Sequence, residues 1–444
     1  MSLQLREFAR AVAGRLKQAG YPVYLAGGCV RDRLLGREIK DFDLATPAPP
    51  DAIRRLIPGA LEVGAHFGVV IVRDAGMQVQ VAAFRTDHSY KDGRRPEAVT
   101  FETDPRRDVL RRDFTINGLL EDPFTGEIID HVGGRSDLEA RLIRAIGGPR
   151  ERFAEDRLRM LRAVRFAARL GFMIEPETMA AIAGMASLVS SVSAERVRDE
   201  LTMILTEGGA RRGMELLDQS GLLAHVLPEA ARMKGVPQPQ RYHPEGDVWT
   251  HTLHVLGQLP ACSPVLGWAA LLHDVGKPET MTVAGRIRFH GHGEAGARIA
   301  RSVLERLRFP AATVEAAASL VANHTRFKDV PAMGPATFKR FIRLPWFDEL
   351  LALHRCDRLG AGRSLEVYEE VIRRRSELRP EDVRPEPLLD GDALIGLGYR
   401  PGPQFREILD ALEEAQLDGA VRTRGEAVEF VTRRFPRWPE SGEL

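Results

Sequence analysis

Two hydrophobic periods alternate in the first third of the chain, and a single one governs the rest. SLQLREFARAVAGRL (2–16) spaces its apolar residues as one face of a helix. The short runs VYLAG, DFDLA, GVVIVRD, QVQVAAF and EIIDHV carry strand-type patterning instead. Residues 1–148 therefore read as an α+β unit. From 149 onward nearly every segment has helical period. RFAEDRLRMLRAVRFAARL (152–170) predicts one long amphipathic helix, with others near 175–189, 193–206 and 209–219. MKGVPQPQRYHPEG (233–246) holds three prolines and two glycines and is expected to link domains. A histidine-rich helical block spans about 247–375. A second proline-bearing break, LRPEDVRPEP (378–387), precedes a small helical tail.

Composition narrows the classes. A chain of 444 residues exceeds a single core, so several domains are expected. Hydrophobic content of 44% and charged content of 28% suit a soluble globular protein. There is no run of eighteen apolar residues, and the first helix lacks the pattern of a signal peptide, so no membrane association is expected. The three cysteines, Cys29, Cys262 and Cys356, form no CxxC pair, which fits a reduced, cytoplasmic setting. A net charge of +1 leaves any polyanionic partner to be held by local patches.

The candidate chemistry begins at residues 25–46, LAGGCVRDRLLGREIKDFDLAT. Asp41 and Asp43 flank one apolar residue, so in extended chain both carboxylates face one side while Phe42 packs behind. Two converging carboxylates suit a hard divalent cation such as Mg2+. The Gly27-Gly28 turn lets backbone N–H groups approach an anion, and Arg31 is a candidate phosphate partner. Together they outline a nucleotidyl-transfer site.

At this point the chain resembles the head domain of the class II tRNA nucleotidyltransferase and bacterial poly(A) polymerase family, within the polymerase-β-like superfamily. Residues 104–120, DPRRDVLRRDFTINGLL, resemble that family's RRDFTxNA motif, with Gly118 in place of alanine. The resemblance implies that Arg112 meets the triphosphate and that Asp113 and Asn117 fix the sugar side of the site. Glu155 to Arg162 resemble its EDxxRxxR motif. Asp156, Arg159, Arg162 and Arg165 recur at three-residue spacing, a stripe on one helix face. An Asp–Arg pair there can read the edges of C and A, with Arg162 and Arg165 left for phosphate or RNA.

Two further features bear on the resemblance. The stretch 85–104 is similar to the flexible loop of members that complete the terminal adenosine, the likeness resting on Tyr90, Asp92, Arg94, Arg95 and Pro96. The superfamily's third acidic position corresponds here to Gln80. Two carboxylates then suffice with the substrate phosphates, or Asp74 helps, the first being favoured. The implied reaction is attack of an RNA 3′-hydroxyl on the α-phosphate of CTP or ATP, with release of pyrophosphate and two metal ions dividing the work.

The later histidines form a second set. His251, the adjacent His273-Asp274, and Asp357 resemble the ligands of the HD metal-dependent phosphohydrolase superfamily. His292 and His324 would extend them towards a second metal. Mn2+, Ni2+, Co2+ or Mg2+ would suit such donors. The expected divisions are thus a nucleotidyltransferase head (1–148), a helical neck that selects the nucleotide (149–235), an HD domain (236–377) and a C-terminal, RNA-binding helical segment (378–444). CCA addition to the tRNA 3′ end is the expected activity, with A-only addition or poly(A) synthesis as neighbours within the class. An HD phosphohydrolase with a non-catalytic head, or a purely regulatory RNA-binding protein, are alternatives outside it. Oligomeric state is not legible.

Overall fold

A computed structural model describes residues 2–62, 68–90, 96–239 and 246–436. The chain forms two compact units. The first comprises Met1–Val236 with Leu259–Gly267 and Ser302–Ala311. The second comprises Pro237–Gln258, Trp268–Arg301 and Ala312–Leu444. The first crossing between them falls inside the proline-rich segment, where the local sequence resists both helix and strand. No helix among the described residues is long and apolar enough to cross a membrane.

The head of the first unit is built on a mixed sheet. Its strands are β1 (Tyr24–Ala26), β2 (Asp43–Thr46), β3 (Ala60–Glu62), β4 (Val69–Asp74), β5 (Met77–Ala83), β8 (Leu119–Glu121) and β9 (Ile128–Asp130), in the order β3-β4-β5-β2-β1-β8-β9. Strict alternation makes β5: Val79, Val81 and Ala83 are buried, while Gln78 and Gln80 face out. A separate antiparallel hairpin pairs β6 (Arg85–Tyr90) with β7 (Pro96–Phe101). The expectation of a long loop over 85–104 is corrected accordingly. Thr86, Val99 and Thr100 are good strand formers, and the polar residues between hid that pattern. Asp92, Arg94 and Arg95 lie outside the described residues, as do the side chains of Tyr90 and Pro96.

The neck supplies the main departure from expectation. Instead of one helix over 152–170 there are two, Pro149–Glu155 and Arg159–Leu170. Asp156 interrupts them with extended backbone, φ −140° and ψ 103°. Its Oδ1 accepts from the Leu158 N–H at 3.1 Å, and Arg159 N donates back to the Asp156 carbonyl at 3.0 Å. An aspartate that offers the chain its own acceptor competes with the helix and starts a new one. The second helix is enclosed nearly all round. It buries Met160, Leu161, Val164 and Phe166 together with Arg159 and Arg165, so it is no solvated arginine face.

The described residues of the second unit form helices, with one strand pair, the hairpin Met281–Val283/Ile287–Phe289. Close approach decides one of its turns. A Cβ on Gly276 would fall 2.3 Å from the His292 carbonyl oxygen, so glycine is what lets the His273-Asp274 turn meet the helix His292–Arg306. The tail forms its own small core around Leu394, Ile408 and Leu412. The segment GYRPGP (398–403) reaches into it. Tyr399 is buried, and its hydroxyl donates to the Phe435 carbonyl at 2.7 Å.

Candidate active site and metal centre

In the first unit one cavity of about 630 Å³ gathers the head and neck residues singled out above. Asp43 opens β2 and Asp41 precedes it. The Gln80 N–H donates to the Phe42 carbonyl at 3.3 Å, which holds the intervening residue in strand-like register, and Phe42 is buried behind. Both carboxylates line the cavity. Burial raises the Asp43 pKa and Asp41 adds to the effect, while Arg112 opposes it. Neither carboxylate has an ion-pair partner among the described residues, so the pair fits a divalent cation by its charge and its donor chemistry.

Register settles the third position. Asp43 pairs directly with Gln80 across β2 and β5, and Gln80 with Ile71 across β5 and β4. Directly paired residues share a face, so Gln80 stands beside Asp43 in the cavity. Asp74 sits three residues beyond Ile71, on the opposite face and at the hairpin end opposite Met77. It cannot join the two carboxylates.

Gly27 has φ +74°, and a Cβ there would lie 3.1 Å from Arg112 Nη1. Its absence lets Arg112 lie over the Gly27-Gly28 turn. Arg112 Nη2 donates to Asp108 at 3.0 Å and Nη1 to the Asn117 carbonyl at 3.3 Å, which fixes the guanidinium at the cavity wall. Gly28 and Arg31 also line the cavity. Arg31, however, is fully engaged: Nε and Nη2 donate to Asp32 at 2.8 and 3.0 Å, and Nη1 to Asn117 Oδ1 at 2.7 Å. It braces Asn117, which in turn donates to Asp113 at 3.0 Å.

Across the cavity the neck side chains are interlocked. Arg162 Nε donates to Asp113 at 2.8 Å; burial would raise this carboxyl, but Arg162 and Asn117 hold it down at about 2. Arg165 Nε donates to Glu200 at 2.6 Å and is buried, which turns the residue expected at phosphate or RNA into an internal strut. Arg159 donates to Glu155 at 2.7 Å and to the Arg111 carbonyl at 2.9 Å. Asp156 is off the helix that carries the arginines, and its Oδ2 accepts from Arg196 at 2.7 Å. The four residues line the same cavity although they do not form one helical stripe.

In the second unit the histidines meet. His251, His273 and Asp357 bring ligand atoms within 4.8 Å of one another, and so do Asp274, His292 and His324. Asp274 joins the groups. Its Oδ2 is 3.2 Å from His273 Nε2 and 3.8 Å from His251 Nε2, while its Oδ1 is 3.8 Å from His292 Nε2 and 3.7 Å from His324 Nε2. His273, His292 and His324 each turn Nδ1 to a carbonyl three residues back, at 2.9, 2.7 and 2.7 Å. That contact places the proton on Nδ1 and leaves the Nε2 lone pair for a cation. His273 Nε2 is buried with no hydrogen-bond partner, so the donor set fits a metal ion on an orphaned atom as well as on ligand type.

Comparisons agree with this arrangement. The Poly A polymerase head domain matches residues 23–144, the probable RNA and SrmB-binding site of polymerase A residues 171–234, and the HD domain residues 248–372. The CCA-adding enzyme of Geobacillus stearothermophilus is 32% identical over 421 residues, 95% of each chain. The chain belongs to the tRNA nucleotidyltransferase family. It is a nucleotidyltransferase whose polymerase-type head precedes a helical HD domain. The A-adding tRNA nucleotidyltransferase of Deinococcus radiodurans is 35% identical over 442 residues, 94% of this chain and 96% of that one. The crystal structure of the Bacillus stearothermophilus CCA-adding enzyme in complex with CTP superimposes with a TM-score of 0.74 at 29% identity, covering 96% of both.

Several residues at the two sites of this tRNA nucleotidyltransferase escaped the sequence reading. Arg196 and Glu200, on helix Ala194–Thr206, hold Asp156 and Arg165. Lys277, four residues after His273, is buried with Nζ 2.7 Å from Asp274 Oδ2 and 2.6 Å from Gln238 Oε1. His354 lines the HD cavity beside Asp357. The i, i+3 spacing of His354 and Asp357 on one helix was the available signal.

Proposed function

We propose that this nucleotidyltransferase adds C, C and A to the 3′ end of tRNA from CTP and ATP. The observation that carries the reading is the single cavity in which Asp41 and Asp43 face Arg112, Asp156 and Arg162. Asp41 and Asp43 would hold Mg2+, which when bound supplies activation of the 3′-hydroxyl and neutralisation of the phosphates, with two ions in the full reaction. The chain's own residues do the rest. Arg112 binds phosphate oxygens, Asp113 and Asn117 orient the sugar, and Asp156 with Arg159 offers an acceptor and a donor to the base edge. A pocket of fixed shape and fixed donors can accept C and A while rejecting G and U without a template.

The relatives support this reading over simple polyadenylation, since several are CCA-adding enzymes matched along 95% of their length. The Deinococcus relative makes A-only addition the competing outcome. At the HD centre we infer divalent-metal binding by His251, His273, Asp274 and Asp357, joined by His292 and His324, and hydrolysis of phosphate esters there. The test of the first reading is Asp41→Ala with tRNA, CTP, ATP and Mg2+. Incorporation should fall by at least about a thousandfold, with the fold intact by circular dichroism. Incorporation at the wild-type rate would refute the role of the carboxylate pair.

A further inference from the structure

The HD cavity holds a buried histidine that serves neither metal group. His354 is buried (7% exposed) and lines the cavity of about 580 Å³ that also holds both ligand groups. Its Nε2 is buried and has no hydrogen-bond partner among the described residues. His273, the other histidine with an orphaned Nε2, is explained by its place in a metal group; His354 belongs to neither group. Its ring is also held differently from those of His273, His292 and His324, with no tie from Nδ1 to a carbonyl among the described residues. It lies instead flat on Phe327, 4.1 Å between centroids and 13° between planes. Phe327 is itself buried and edge-packed on Phe341 at 5.1 Å, so the imidazole has a fixed plane. A polar ring locked in place with an unsatisfied atom at a cavity wall is a contact waiting for a ligand.

The cavity's charge says what kind of ligand. Arg286, Arg288, Lys328, Arg358 and Arg363 line it, and among the described residues no acidic side chain does so apart from the metal-group residues Asp274 and Asp357. Resting on the phosphohydrolase reading of this centre, we propose that His354 is a substrate contact that hydrogen-bonds a phosphoryl oxygen of an anionic phosphate ester, separate from the metal ligands.

The test compares the full-length protein with His354→Phe and His354→Gln, each loaded with Mn2+. Three readouts are taken: Mn2+ stoichiometry, affinity for inorganic phosphate by calorimetry, and KM against kcat for bis(p-nitrophenyl) phosphate. Phenylalanine keeps the stacking and removes the unpaired nitrogen. The expected result is unchanged stoichiometry, an unfolding temperature equal to or above wild type, and phosphate affinity weaker by about tenfold or more. The amide of glutamine should restore part of that affinity. Unchanged phosphate affinity in His354→Phe would overturn the proposal, and so would loss of bound Mn2+, which would make His354 a metal ligand. A wild-type protein that binds Mn2+ but hydrolyses no ester would remove the phosphohydrolase reading alone, and the phosphate titration would still decide on His354.

Discussion

At the scale of single residues, Gly118 stands where the family motif carries alanine. A Cβ there would lie 2.7 Å from Val132 Cγ2, 3.1 Å from Val109 Cγ1 and 3.2 Å from Ile146 Cδ1. The methyl's space is already filled by neighbours, so the departure is a matter of packing. Gly118→Ala should destabilise the protein by about 1–3 kcal/mol in denaturant melts, and Val132→Ala added to it should recover part of the loss. Asp113 gives a pH prediction. Its folded pKa of about 2 lies below its ordinary 3.8, because Arg162, Asn117 and Arg159 together outweigh the cost of burial. A depressed carboxyl stabilises the fold fully above pH 3.8, and that contribution fades as pH falls towards 2. Arg162→Ala should remove most of this part of the acid sensitivity, read as a flatter stability curve between those values.

At the scale of elements, the neck shows how local competition redirects a motif. Helix Ala194–Thr206 braces the neck side of the cavity, through Arg196 to Asp156, proposed to read the base, and through Glu200 to Arg165. Arg196→Ala should therefore loosen Asp156 and raise misincorporation of U and G several-fold, while incorporation of C and A falls less, as measured with each NTP alone. The strands β1, β2, β4, β5 and β9 were legible because alternation and buried apolar runs are local signals. So was the facing of Asp41 and Asp43, which follows from period two. The break at Asp156 was not legible, because the arginine and apolar periods run on through it while a single side-chain acceptor overrides them. The hairpin β6–β7 was missed for the opposite reason, its polar residues outweighing its strand formers. Arg196 depends on a contact with Asp156, forty residues away in sequence, which no local pattern carries, whereas His354 and Lys277 lie three residues from Asp357 and Asp274 and had a local signal that was passed over.

At the scale of the whole molecule, two sites with different donor chemistry lie in two separate compact units. Oxygen donors in the head suit Mg2+, and the imidazole-rich centre suits a transition metal. Their activities should be separable. His273→Ala with Asp274→Ala should remove bound Mn2+ and any ester hydrolysis while leaving nucleotide incorporation within about twofold. Asp41→Ala should do the reverse.

The most direct measurement of the central claim is incorporation with Mg2+, each NTP singly and together, on tRNA ending at the discriminator base, at C and at CC. Stepwise growth of the first substrate by C, C and A, followed by arrest, is the predicted result. Addition of A only to the CC-ending tRNA, or long A tails on an unrelated RNA, would contradict it.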